Sequence, residues 1–256
     1  MRLDRKTIIV TGSTTGIGEA IARRCAAEGA NVVVHGRSRQ RAEAVAKSIG
    51  SSAAPHVDDL ADPLAATRLI QMAIERFGEL HGIVNNAAYV VRSNLETTSA
   101  EFFDRVMATN VRAPLLIIQA AQAYLKRTGG SVVNIGSVNG YSGEPNLLAY
   151  SISKGGLMTM SRNLADALAR DGIRVNHINP GWVLTPNEYD YKIADGLPKN
   201  WPEMVPPEIA PAGRLLKPEE IASGVLYWLS DESRPISGTV MEMEQYPFVG
   251  RNMPRG

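Results

Sequence analysis

The sequence predicts an α/β fold: one domain built on a Rossmann-like, doubly wound parallel sheet, layered α/β/α. Three observations predict it. Short β-branched runs alternate with longer stretches of helical periodicity along 256 residues, the pattern of parallel strands joined by crossover helices. Those runs are almost continuously apolar, as strands buried on both faces require. The first run feeds a glycine-rich turn that opens a helix, a unit suited to cradling phosphates.

Taken in order, the expected strands are TIIV (7–10), NVVV (31–34), GIVNN (82–86), SVVNIGS (131–137), IRVNHIN (173–179) and TVMEM (239–243). Helical periodicity covers 17–28, and 64–77 after an Asp-Pro start. Thr98-Ser99-Ala100-Glu101 reads as a capping box opening the helix that contains FFDRVMATN, because a hydroxyl three residues before a carboxylate can satisfy the first free N–H groups. A further helix spans 149–170, rich in small residues at its start. KPEEIASGVLYWLS begins with Pro218 and two acids, as a helix N-terminus prefers. The irregular stretch is 182–217, proline-rich and carrying Trp182, Tyr189, Tyr191 and Trp201. A long insertion of this kind in a compact domain usually serves function, so it is assigned as the substrate loop of a single unit, 1–256.

Composition narrows the function classes. A net charge of +1 with interspersed signs offers no nucleic-acid surface. The single cysteine, Cys25, rules out an internal disulfide and follows Ile17 and Ile21 at four-residue steps, the buried stripe of a helix. His35, His56, His81 and His177 show no metal-ligand spacing, so no metal site is expected. Without a long apolar segment, neither a membrane span nor a secretory leader is expected. The expected location is the cytoplasm.

IIVTGSTTGIGEAIA places Gly12, Gly16 and Gly18 between the first strand and first helix. There the backbone can approach a pyrophosphate, and the helix N-terminus supplies N–H donors. The Gly-Lys-Ser/Thr ending of a mononucleotide loop is absent. At the end of the second strand, VVVHGRSR puts Gly36 where an acid would bind the ribose 2′-hydroxyl of NAD, followed by Arg37, Ser38 and Arg39. A guanidinium can take a 2′-phosphate bidentately. NADP(H) is therefore favoured, with NAD(H) open if Arg37 only faces solvent. Tyr150 and Lys154 lie one helical turn apart; alone, that spacing fits either a working acid or two neighbours on a helix face.

These motifs together resemble the classical short-chain dehydrogenase/reductase family along nearly the whole chain. Thr11-Gly12-x-x-x-Gly16-Ile17-Gly18 resembles its cofactor turn, bringing Ser13, Thr14 and Thr15 with it, and Asp59-Leu60 its adenine-side pair. Asn85-Asn86-Ala87-Ala88 is similar to Asn-Asn-Ala-Gly, with Ala88 replacing the glycine. Pro180-Gly181-Trp182-Val183-Leu184-Thr185 resembles the nicotinamide-side segment, assigning Pro180, Gly181, Val183 and Thr185. The resemblance implies a catalytic set of Asn110, Ser137, Tyr150 and Lys154, with Tyr150 and Lys154 also touching cofactor. It implies a dimer or tetramer packed through the helices carrying Asn110 and Tyr150, where Ser151, Ser153, Gly155 and Gly156 leave little bulk.

The chemistry makes sense of that set. Ser137 would hold a carbonyl oxygen, and Tyr150 would give it a proton or take one back. A free phenol near pKa 10 is too weak for this at neutral pH. An ammonium at ~4 Å in an effective dielectric of ~20 would stabilise the phenolate by about 4 kcal/mol, so Lys154 is expected to bring Tyr150 toward neutrality. Pro114 lies four residues beyond Asn110 and has no N–H, so the Asn110 carbonyl loses its usual helical partner. The resemblance implies a water there, relaying protons to Lys154. The substrate is read as a small molecule, a sugar or another polar hydroxy compound. An acyl-carrier ketoester, a small cyclic ketone and a non-catalytic dinucleotide-binding regulator stay open. The C-terminal run lacks the family's Asp-Gly-Gly, and its Gln245, Tyr246 and Phe248 are candidates to close a pocket or cross to another subunit.

Overall fold

Strands β1 (Thr7–Val10), β2 (Asn31–Gly36), β3 (Ala53–Val57), β4 (Gly82–Asn85), β5 (Ser131–Ile135), β6 (Arg174–Pro180) and β7 (Val240–Met243) form one sheet. This is a computed structural model, and it describes residues 1–247. The strand order is β3-β2-β1-β4-β5-β6-β7, and each adjacent pair is parallel. The chain runs outward from β1 to one edge, then returns to the other side of β1. The crevice between the C-terminal ends of β1 and β4 is the switch point where such sheets bind ligands.

The connecting helices are α1 (Gly16–Ala27), α2 (Arg39–Ile49), α3 (Ala65–Phe77), α4 (Ala100–Met107), α5 (Ala113–Thr128), a short α6 (Asn139–Ser142), α7 (Leu148–Ala167), α8 (Pro186–Ala194) and α9 (Pro218–Leu229). Strand periodicity divides the core between two faces. Ile8, Val10, Val32 and Val34 pack with α1, α2 and α9 through Ile21, Cys25, Val45 and Leu226. Ile9, Val33 and Val132 point the other way, onto Leu69, Ile117 and Ala165 of α3, α5 and α7. Cys25 is buried as its stripe predicts, and burial pushes its thiol up to about 12. No helix among the described residues is long and apolar enough to cross a membrane.

Four local features differ from the sequence reading. β3, AAPHV, is absent from the strands expected on composition: alanines and Pro55 give no β-branched run. It forms at the sheet edge, pairing only with β2, where a proline without an N–H is tolerated. The cap of α4 is Ser99, whose Oγ accepts the Phe102 N–H at 3.2 Å. The Thr98 hydroxyl donates instead to the Asn94 carbonyl at 2.6 Å, so a single cap one residue later replaces the expected box. Between α4 and α5 the helix widens into a π turn, Ala108–Arg112, in which the Ala113 N–H reaches back five residues to Ala108 O. Pro114 begins α5 just beyond it, so the break falls where the missing N–H predicts, and such turns mark functional sites.

The insertion 182–217 is more ordered than a loop. It holds α8 and a 3₁₀ turn, Trp201–Met204, around a small apolar cluster of its own. Trp201 is 2% exposed; its ring lies 5.7 Å from Trp182 and 6.3 Å from Tyr189, nearly parallel to both. Gln245 fastens the far end of the insertion, accepting the Ala212 N–H at 2.9 Å and donating to Arg214 O at 2.7 Å. Glu244 fastens the near end by accepting the Trp182 N–H at 2.9 Å. Glu244 and Gln245 thus fasten a segment of their own chain. Phe248 lies outside the described residues.

Candidate active site

The turn after β1 is stitched to the end of β4. Thr11 Oγ1 accepts the N–H groups of Asn86 and Ala87, each at 3.0 Å, and Asn86 Nδ2 donates to Thr11 O and Gly12 O at 2.9 and 3.1 Å. This stitching needs a glycine at position 18: a Cβ there would lie 2.2 Å from Gly12 O and 2.4 Å from Asn86 Nδ2. The Gly12 N–H donates to His35 Nδ1 at 3.2 Å. Burial holds His35 down to about 4, which keeps that nitrogen's lone pair available near neutral pH. Ser13 is fully buried; its hydroxyl donates to Val10 O at 2.6 Å and accepts the His35 N–H at 3.0 Å. Of the predicted cofactor residues, Ser13 therefore has its side chain committed to the sheet.

Thr15 precedes α1 and makes no side-chain cap, so the helix presents its first N–H groups unpaired. Beside it lies a cavity of about 300 Å³ lined by Thr14, Thr15, Arg41, Val45, Asn187 and Asp190, among others. Uncapped helix donors at a cavity fit the diphosphate of a dinucleotide.

Gly36 ends β2 against Thr14, whose Cγ2 would lie 2.5 Å from a Cβ at position 36. Position 36 therefore lacks room for a carboxylate as well as lacking one. Arg37 is exposed beyond it, and Ser38 caps α2 by accepting the Arg41 N–H at 3.4 Å. Asp59 follows β3. Burial would raise its carboxyl, but the Ala61 N–H and the Arg105 guanidinium, with a smaller contribution from Arg37, hold it below its usual value. Arg105 reaches it at 2.7 Å. The Leu60 side chain is buried in the core. Arg41, which the sequence reading passed over, lines the cavity with Thr14 and Thr15; its signal was a third arginine in the run after β2, following Arg37 and Arg39.

Three of the four predicted catalytic residues, Ser137, Tyr150 and Lys154, come together. Ser137 follows β5; its hydroxyl accepts the Asn139 N–H at 3.2 Å, and it lies near enough to Tyr150 to favour the phenolate. Lys154, 2% exposed, places Nζ 5.5 Å from the centroid of the Tyr150 ring and donates to Ile135 O at 2.7 Å. Asn110 Oδ1 accepts the Tyr89 N–H at 2.7 Å, and Nδ2 donates to Ser153 Oγ at 2.9 Å. Asn110 thus ties the loop after β4 to α7 at the residue preceding Lys154. That contact also uses one of the small residues of α7 inside the chain.

One electrostatic expectation is overturned. Burial pushes the Tyr150 phenol up to about 12; nearby Ser137 pulls down and the charge of Glu188 pushes up, both more weakly. Burial alone drops Lys154 to about 7. The ammonium stands over the ring and is bonded to a backbone carbonyl, so desolvation of both groups outweighs their attraction.

A buried polar chain, unread in the sequence, ends at Ser137. Asn85 donates to Asn134 Oδ1 at 2.8 Å, and Asn134 to Ser161 Oγ at 2.9 Å. Ser161 meets His177 Nδ1 at 2.9 Å, and His177 Nε2 meets Asn179 Oδ1 at 2.9 Å. Asn179 Oδ1 also accepts the Ser137 N–H at 2.9 Å. Burial holds His177 down to about 4. The neutral ring, with Nε2 protonated, donates to Asn179 Oδ1; the Ser161 hydroxyl beside Nδ1 also lies 2.7 Å from Leu157 O. The signal was polar residues in VNHIN, a strand buried along its whole length.

The segment after β6 joins the two halves of the site. Pro180 O accepts the Val138 N–H at 3.2 Å, next to Ser137, and the Gly181 N–H donates to Met243 O at 2.9 Å. Val183 is buried. Thr185 caps α8, accepting the Glu188 N–H at 3.1 Å, and its methyl would lie 3.2 Å from a Cβ on Gly16.

Comparison with known proteins agrees with this geometry. Residues 12–245 match the family described as Enoyl-(Acyl carrier protein) reductase. The chain is 34% identical to an NADP-dependent (R)-specific alcohol dehydrogenase of Lentilactobacillus kefiri, over 93% of this chain and 94% of the relative. It is 30% identical to a meso-2,3-butanediol dehydrogenase of Serratia marcescens, over 100% and 99%. The crystal structure of a 3-ketoacyl-(acyl-carrier-protein) reductase from Brucella melitensis complexed with NADH superimposes with a TM-score of 0.84, at 30% identity over 94% of this chain and 97% of that one. The chain belongs to the classical short-chain dehydrogenase/reductase family of nicotinamide-dependent oxidoreductases acting on CH–OH groups.

Proposed function

We propose that the protein is an NADP(H)-dependent oxidoreductase that interconverts a ketone or aldehyde with a secondary or primary alcohol, Tyr150 serving as general acid and base. The observation that carries this reading is buried Lys154, whose Nζ lies 5.5 Å from the centroid of the Tyr150 ring, with Ser137 near enough to favour the phenolate. When bound, the nicotinamide supplies hydride to the carbonyl carbon or accepts it from the carbinol carbon. Ser137 holds the substrate oxygen, its own backbone fixed by Asn179. Tyr150, held protonated by its surroundings, gives its proton to that oxygen in reduction and takes it back in oxidation. A protonated Lys154 beside the ring favours the resulting phenolate.

Preference for NADP(H) rests on Arg37, exposed beside Asp59, on Arg41 at the cavity, and on the closed position at Gly36. The substrate is read as a small polar hydroxy compound, a sugar among the candidates, because the insertion lays hydroxyls, carboxylates and indoles beside the site. Assembly through α5 and α7 is supported by Leu115 and Ile152, large apolar side chains exposed on those helices.

Turnover of a panel of ketones, alcohols and sugars with each nicotinamide cofactor tests the reading, with Arg37→Ala alongside. The variant should lose NADPH affinity selectively; an equal loss for NADH removes the 2′-phosphate assignment. A second reading, reduction of a 3-oxoacyl thioester, is favoured by the Brucella melitensis similarity. It predicts that an acetoacetyl thioester outcompetes every small ketone in the panel.

A further inference from the structure

The end of the sheet opposite Ser137 holds a second cavity, of about 210 Å³. Four of its lining residues open adjacent strands or directly precede them: Lys6 at β1, His81 at β4, Ser131 at β5 and Arg174 at β6. Asp231 and Arg234 line it from the turn after α9. Ser131 and Ser137 stand at opposite ends of β5, roughly 20 Å apart at ~3.3 Å per residue. The cavity is therefore separate from the catalytic groups and from the cradle.

Its charges do not balance. Three cations, Lys6, Arg174 and Arg234, line it beside one carboxylate, Asp231. Both oxygens of that carboxylate are taken: Oδ2 lies 2.8 Å from Lys6 Nζ, and Oδ1 lies 2.8 Å from Arg234 Nε. Arg174 is 5% exposed. Its hydrogen bonds go to neutral groups, Ser233 Oγ at 2.6 Å and Ser230 O at 3.2 Å, and its buried Nε has no partner among the described residues. Burial, and then the charge of Arg234, pull its pKa below the ordinary arginine value, against a smaller opposing effect of Asp231. His81 adds a donor. Its Nδ1 accepts the Thr7 N–H at 3.1 Å, so the neutral ring carries its proton on Nε2. Exposed Glu79 comes no closer to that nitrogen than 3.7 Å.

An arginine that ties down a turn accounts for the bonds to Ser230 and Ser233. It does not account for a buried charge lacking a counter-charge beside two more cations, because buried charges in proteins are paired. An anion in the cavity supplies that counter-charge, and Lys6 and Arg234 both keep N–H groups beyond those used by Asp231.

We propose that this cavity binds a small oxyanion of the phosphate type, free or as the head of a small phosphate monoester, held by Arg174, Lys6, Arg234 and His81. Guanidinium groups suit the paired oxygens of a tetrahedral anion, and the ammonium adds a point charge. The site is independent of the hydride chemistry proposed above.

Thermal melting and calorimetric titration test it, on protein saturated with NADPH so that the cradle's own phosphate donors are occupied. The probes are inorganic phosphate and glycerol 3-phosphate, against chloride at equal ionic strength. Phosphate at about 100 times its Kd should raise the melting temperature by roughly 5–10 °C, with one site per chain in the titration. The tighter of the two probes tells whether the free ion or a monoester fits better. Arg174→Met should abolish the effect. Arg234→Gln alters a side chain that is 42% exposed, so the fold should tolerate it. It should weaken the Kd roughly 10- to 100-fold, the loss of one hydrogen bond to a charged group. If Arg174→Met fails to fold, Arg234→Gln decides alone. No saturable binding of either probe, or a Kd unchanged in folded Arg234→Gln, overturns the proposal.

Discussion

Lys154 Nζ lies over the Tyr150 ring, 5.5 Å from its centroid, and is hydrogen-bonded to Ile135 O at 2.7 Å. The buried lysine sits near 7, whereas an unperturbed one sits at 10.5. Between those pH values the unfolded chain binds more protons than the folded one, so the stability contributed at this position rises with pH. Its cost is full below about pH 7 and vanishes near pH 10.5. Lys154→Met cannot titrate, so its melting temperature relative to wild type should be highest at about pH 6 and decline steadily toward about pH 10. A difference independent of pH would mean that Lys154 is charged throughout.

Asn179 acts on the reaction through Ser137, whose amide it accepts at 2.9 Å while His177 orients it. Asn179→Ala orphans a buried N–H, worth about 1–3 kcal/mol. It should lower kcat roughly tenfold while the KM for cofactor changes little, and Asn179→Asp, which restores the acceptor, should recover part of the rate. Steady-state kinetics on both variants decide this; equal losses in the two would leave Asn179 with a packing role.

Gly36 makes cofactor exchange a two-residue problem. Gly36→Asp alone drives its Cβ to 2.5 Å from the Thr14 methyl, so both NADPH and NADH affinity should fall. Adding Thr14→Gly opens the space, and the double variant should favour NADH. Titration of each cofactor into the two proteins checks it; NADH preference from the single variant would show that Thr14 moves aside freely.

Gln245 holds the end of the insertion at Ala212 and Arg214. Gln245→Ala should raise the substrate KM several-fold, with kcat and cofactor affinity nearly unchanged, because α8 and the Trp182–Trp201 stack lose one anchor. An unchanged KM would place the substrate away from the insertion.

The sequence reading reached the sheet and the site through features that short stretches carry alone. Apolar runs marked the central strands, and glycines marked the one turn where Gly18 must pass close to Gly12 O and Asn86. The ordered motifs found Ser137, Tyr150 and Lys154, which the fold brings together. Other features depend on partners far along the chain. β3 exists because β2 offers an edge to pair with, although Pro55 argues locally against a strand. The folded insertion depends on Trp201 finding Trp182 and Tyr189. The pull of Lys154 on Tyr150 was judged from spacing in a moderately polar medium, and burial of both groups reversed its outcome. The polar chain from Asn85 to Ser137 crosses β4, β5, α7 and β6, so only the assembled sheet displays it.

The central claim is that Tyr150 delivers the proton. The direct measurement is NADPH-dependent reduction of the best ketone of the substrate panel by wild type and Tyr150→Phe, with NADPH affinity determined for both proteins. The phenyl ring keeps the packing beneath Lys154 and removes only the hydroxyl beside Ser137. Loss of a positioned general acid should lower kcat/KM by roughly 10²- to 10⁴-fold, with NADPH affinity within about threefold of wild type. Turnover by Tyr150→Phe at a rate close to that of the wild type would contradict the account.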